Sequence, residues 1–149
     1  MMEGRSLNRI VMSARTWIGT PYRHLHSTRG QGCDCLGLIR GVWRDVIGEE
    51  PTEPPVYTPF WGEAYAEERL LGAAQAFLVP RDLDQMRPGD VLIFRIYKNA
   101  AAKHCGIYTG NGRMIHAYQG QREVSEHAMG HYWRNRCVAA FSYPLCQGS

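Results

Sequence analysis

Residues 104–118 read HCGIYTGNGRMIHAY. Two short runs rich in β-branched and aromatic residues flank Thr109-Gly110-Asn111-Gly112, a turn sequence that reverses the chain without a crossover helix. The stretch therefore predicts a pair of antiparallel strands. Strand alternation puts His104, Gly106 and Tyr108 on one face and Cys105, Ile107 and Thr109 on the other. His104 can then face a cleft while Cys105 packs inward and is inert. The second strand brings His116 near His104, where it can hydrogen-bond the second ring nitrogen and fix its tautomer.

The same character continues on both sides of this hairpin. VLIFRI (91–96) follows Pro88-Gly89-Asp90, in which Asp90 reads as a turn residue, and CVAAFSY (137–143) is a further strand run. His127 and His131 lie in a polar segment with Trp133 and Arg134, where side chains face solvent by default, so neither is a site candidate. A bridge between Cys137 and Cys146 is left open by the sequence.

Upstream of residue 90 the pattern changes to a helical period. Leu7, Ile10, Val11, Ala14, Trp17 and Ile18 form an i, i+3, i+4, i+7 stripe that Gly19-Thr20-Pro21 ends, predicting a helix over 7–18. Leu36, Leu38, Ile39, Val42, Trp43, Val46 and Ile47 repeat the period from Cys35 to the stop at Gly48. Residues 51–61 hold four prolines and read as an extended surface segment, and 63–78 predicts a third helix closed by Pro80. Helices first and strands second give an α+β fold, with N-terminal helices packed on an antiparallel sheet in a single domain spanning 1–149.

With 149 residues, 44% apolar and 21% charged, the chain is expected to bury one core instead of remaining disordered. No apolar stretch approaches the ~20 residues of a membrane-spanning helix, and the N-terminus lacks the apolar run of an export signal. The net charge of +3 is scattered, which supports neither a nucleic-acid partner nor membrane insertion. Five cysteines leave at least one thiol free, against a disulfide-stapled scaffold.

Cys35 sits where a loop becomes a helix, and there the unpaired amides and the positive end of the helix dipole favour thiolate. Histidines 104 and 116 supply a base and its orienting partner, the arrangement that activates a nucleophilic thiol. His24, His26, Cys33 and Cys35 could be weighed as a zinc set, but one residue between the cysteines is tighter than structural zinc sites use, so no metal or cofactor is expected. On pattern alone, a cysteine opening an apolar helix is most often a small buried hydrophobe, and the histidines by themselves do not overturn that.

WIGTPY (17–22), GCDCLGLIRGVW (32–43), RPGDVLIF (87–94) and HCGIYTGNGRMIHAY (104–118), in that order, resemble the NlpC/P60 family of cell-wall cysteine peptidases. The short Asp34-Cys35-Leu36-Gly37 form is similar to a branch encoded with tail genes of phages and gene-transfer particles. The resemblance implies a papain-like fold, Cys35 as nucleophile, His104 as general base and His116 as the residue that orients it. Tyr22 and Asp34 are implied on the substrate and oxyanion side, Asp34 in a structural capacity. It also implies hydrolysis of an amide in peptidoglycan stem peptides, typically between D-glutamate and the diamino acid, by an enzyme that a phage-like tail carries to the envelope through a hub or tip protein. Loops 23–32 and 51–61 are the expected specificity walls. Two other readings stay open: an idle structural module of a tail tip, and an amidase or acyltransferase acting on a substrate outside the wall.

Overall fold

The computed structural model describes residues 2–51 and 68–145, with the backbone alone for residues 2–8. Its elements run α1 (Met2–Arg15), β1 (Ser27–Thr28), β2 (Gly32–Cys33), α2 (Cys35–Val46), α3 (Arg69–Phe77), β3 (Val79–Arg81), β4 (Val91–Phe94), β5 (His104–Gly110), β6 (Arg113–Ala117), β7 (Val124–Ala128), α4 (Gly130–Arg136) and β8 (Cys137–Ser142). This is the α+β arrangement that the switch of period at residue 90 predicts. Residues 52–67, most of the proline-rich segment and the start of the expected third helix, lie outside the described residues, as does Cys146. No described helix is long and apolar enough to cross a membrane.

The first helix stops earlier than its apolar stripe. After Arg15 the amides of Trp17 and Ile18 bond the carbonyls three residues back, which tightens the chain into turns. Trp17 is thereby buried, whereas Ile18, expected on the apolar stripe, is exposed. Trp17 lies against α2 at Gly41, where an added Cβ would come within 2.0 Å of the indole. Glycine here lets the two segments approach this closely.

Strand order in the six-stranded antiparallel sheet is β3-β8-β4-β5-β6-β7. The hairpin β5–β6 forms as expected, with Tyr108 opposite Met114 and a register shift into the turn, whose Asn111 has φ +54°. Alternation along the strands feeds two apolar cores. Val91, Ile93, Cys105, Ile107, Ile115 and Phe141 join Ile10, Trp17, Leu38 and Val42 under the helices. Leu92, Phe94, Met114 and Ala140 pack with Met129 and Trp133 around α4 on the other face. The buried Asp90 accepts from the Arg87 amide at 2.8 Å and pairs with Arg81 at 2.8 Å, the structural part that its turn sequence predicts.

Two elements depart from the sequence reading. The segment taken as polar and solvent-facing contains β7 and α4, and β7 pairs in register with β6, His116 opposite Ser125 and Met114 opposite His127. Because β7 is an edge strand, only Val124 needs to be apolar, and the alternation that signals a strand is nearly silent. His127 therefore lies on the sheet beside His116.

Candidate active site

Asp34 fixes the start of α2. Its carboxylate caps α2 by accepting from the Gly37 amide at 2.7 Å, and its other oxygen accepts from the Leu25 amide at 2.7 Å, with His24 Nδ1 at 3.7 Å. It is 1% exposed. The residue placed on the oxyanion side is thus a buried cap, and a carboxylate held this way ties the 23–34 loop to the helix start. In that loop β1 and β2 form a small hairpin, and Tyr22 bridges to Cys33 in parallel.

Cys35 is the first residue of α2, half-buried, with its Sγ 3.9 Å from the Lys103 carbonyl at the mouth of β5. From there it meets side chains of both strand faces. Cys105 and His104, the first residues of β5, are the side chains that act most strongly on the charge of its sulfur. The thiol is held well below its ordinary value. A hydrogen bond from Cys105 is the largest cause, and His104 adds a second bond and an attractive charge. Together these outweigh burial and the Asp34 carboxylate, which push the other way. Cys105 itself is driven up, first by that same bond and then by burial, and stays a thiol. Cys105 packs inward as expected, but it is not remote from Cys35, on whose thiol it is the largest influence.

His104 Nε2 lies 2.7 Å from His116 Nδ1. The two residues are diagonal neighbours across β5 and β6, and Gly106, directly opposite His116, makes room: a Cβ there would sit 3.1 Å from His116 Cβ and 3.0 Å from the Ile115 carbonyl. Since Nε2 faces His116, the nitrogen left to the thiol is Nδ1. His116 is wholly buried, and burial, with His104 and His127 adding to it, pushes its pKa down to about 2. Its ring stacks on Tyr118 and meets the edge of Trp133, which also contacts His104. This aromatic wall keeps water from the paired imidazoles.

His127 was not singled out by sequence, yet its Nε2 lies 2.7 Å from His116 Nε2 and its Nδ1 2.7 Å from the Ala128 carbonyl. Three imidazoles thus run in line from the thiol. Tyr22 stands beside Cys35 at the cleft, its hydroxyl kept protonated first by burial and then by the nearby sulfur. Cys33 is fully buried in β2, and among the described residues no group of three or more candidate ligands is placed to hold a metal ion.

The sequence profile of the NlpC/P60 family matches residues 19–142, which include every residue just described. Among curated proteins, the chain is 29% identical over 127 residues to the gamma-DL-glutamyl hydrolase of Bacillus subtilis, covering 85% of this chain and 27% of that one. It is 31% identical over 117 residues to a probable endopeptidase NlpC homolog of Haemophilus influenzae, covering 78% and 52%. The chain thus spans about a quarter to a half of these relatives' length. The NlpC/p60 domain of the peptidoglycan hydrolase SagA superposes with TM-score 0.67 at 24% identity over 91% of this chain and 97% of that one. An NlpC/P60 family protein from Bacillus cereus gives 0.68 at 20% over 93% and 40%. At these identities the superpositions speak for the fold.

Proposed function

The chain belongs to the NlpC/P60 family, and from that premise we propose that it is a cysteine peptidase hydrolysing an amide in peptidoglycan stem peptides. One observation carries the proposal: a thiol at the start of α2 lies 3.9 Å from the carbonyl of Lys103, the residue before His104, whose imidazole Nε2 is held at 2.7 Å by a buried histidine. That is the nucleophile, base and orienting group of acyl transfer.

In this reading Cys35 attacks the carbonyl carbon as thiolate. The tetrahedral oxyanion is met by the Cys35 amide, in the first turn where helix amides lack an intrahelical carbonyl, and by the Tyr22 hydroxyl. His104 gives its Nδ1 proton to the leaving amine, then takes one from the water that releases the acyl group. The thiol pKa is lowered, so activity is present above that value and declines as pH falls through it.

The bond proposed is that between D-glutamate and the diamino acid, supported by the Bacillus relative's name; names of Escherichia coli relatives as murein DD-endopeptidases make a DD bond the competing outcome. The Asp34-Cys35-Leu36-Gly37 form supports a further placement, on a phage-like tail with a hub or tip protein as partner, which mass spectrometry of purified particles tests. For the activity itself, wild type and Cys35→Ala are incubated side by side with muropeptides of defined stem sequence. We expect the wild type alone to release fragments whose masses identify the bond. Unchanged muropeptides with both would remove the peptidase reading.

A further inference from the structure

Ala128 offers the histidine line a carbonyl oxygen, a group that only accepts. His127 Nδ1, 2.7 Å away, must therefore carry a proton. In neutral His127 this leaves Nε2 with a lone pair, so the proton between it and His116 Nε2, again at 2.7 Å, belongs to His116. His116 is buried and neutral, hence its Nδ1 is an acceptor, and the proton in the 2.7 Å contact with His104 sits on His104 Nε2. The chain of constraint ends at His104 Nδ1, whose lone pair is free for the Cys35 proton.

We propose that His127, anchored on the Ala128 carbonyl, is a positioning residue that sets the tautomers of His116 and His104 and so aims a basic nitrogen at Cys35. Without an acceptor at position 127, His116 can turn its proton to Nδ1. His104 must then accept on Nε2 and present an N–H to a neutral thiol, the wrong tautomer for a base. With the acceptor in place, the proton moving from Sγ to Nδ1 requires no other proton in the line to move. The proposal rests on the reading of Cys35 as the nucleophile.

The titratable groups that face the thiol are Cys105, His104, Asp34, Tyr22 and Cys33, and those that face His116 are His104, His127 and the stacked Tyr118. None of the others is altered by a change at 127. Iodoacetamide alkylation of Cys35, followed across pH by peptide mass spectrometry, reads the thiolate without any substrate. His127→Leu removes the acceptor; His127→Gln restores one through its amide oxygen. We expect His127→Leu to move the acid limb of the profile up by about one pH unit, slowing alkylation below it about tenfold, the worth of one good hydrogen bond. His127→Gln is expected within about twofold of wild type, a rescue that a purely structural role would not produce. Superimposed wild-type and His127→Leu profiles, or a His127→Gln profile that tracks His127→Leu, overturn the proposal.

Should His127→Leu fail to fold, 15N imidazole spectra of the wild type decide: a proton on His127 Nδ1 and His116 Nε2 supports the assignment, and the opposite tautomer at either overturns it. Intact muropeptides together with a profile that responds to position 127 would remove the peptidase reading and leave the positioning role standing.

Discussion

The histidine at the first residue of β5 is held at 2.7 Å by a second histidine, His116, that is wholly buried. His116 has its pKa pushed from 6.5 down to about 2, by burial first and by the neighbouring histidines after it. The unfolded chain binds a proton at this position below about pH 6.5 that the folded chain refuses until about pH 2, so the unfolded state holds more protons between these limits. This contribution to stability is complete above the upper value and is lost as pH falls, by up to about 1.4 kcal/mol per pH unit. Urea denaturation from neutral pH downward should show the wild-type midpoint falling faster than that of His116→Gln, which lacks the titrating ring. Parallel slopes would mean that His116 is not what the fold keeps uncharged. Cys35, His104 and His116 were named through the order of their motifs and not by residue type, since a helix-start cysteine taken alone reads as a buried hydrophobe; the fold brings His104 and His116 to 2.7 Å. His127 and the Cys105 contact were not legible, since both depend on which side chains the tertiary fold sets face to face.

At the level of elements, two glycines decide how closely the parts of the site approach. Gly106 lies under His116, and an alanine Cβ there would stand 3.0 Å from the Ile115 carbonyl and 3.0 Å from Met114 Cε. The methionine can yield; the strand backbone cannot without moving β6. Gly106→Ala should therefore cost about 1–3 kcal/mol of stability and shift His116 against His104. Its signature is a lower kcat with little change in KM, measured beside thermal unfolding; full stability and full turnover would show that β6 has room to spare. Gly41 is the stricter case, because its added Cβ would lie 2.0 Å from the Trp17 ring and drive α2, with Cys35 at its head, away from α1. We expect Gly41→Ala to be more destabilising than Gly106→Ala, and the reverse order by urea denaturation would contradict this account of the helix contact. Elements with a strong period, α2 and the strands β5, β6 and β8, were readable within a residue or so, with β4 ending two residues before its apolar run does. Edge strand β7 and the short α4 were not: one face of an edge strand meets solvent, and a seven-residue helix that buries only Trp133 leaves almost no periodic trace.

For the molecule as a whole, sequence order and spatial order diverge most at the last described strand. β8 lies between β3 and β4 and pairs antiparallel with both, Phe141 opposite Val91 and Pro80. Local patterns announce that such a strand exists but carry nothing about its neighbours, which is why the antiparallel sheet was foreseen and its order was not. Beyond β8, buried Tyr143 donates its hydroxyl proton to the Ile39 carbonyl of α2 at 2.9 Å, tying the sheet's centre to the helix that begins with Cys35. Removing everything after Arg136 therefore opens the middle of the sheet, strips Phe141 and Tyr143 from the core under the helices and leaves β3 without a partner strand. Such a chain is expected to lose its cooperative thermal transition and its dispersed amide spectrum. Tyr143→Phe keeps the ring and removes one buried hydrogen bond, and should fold with a loss of about 1–2 kcal/mol. Read together by calorimetry and amide spectra, the two variants separate the strand's topological role from that of one contact. A truncated chain that still unfolds cooperatively would show the remaining strands closing without β8, against the pairing seen here.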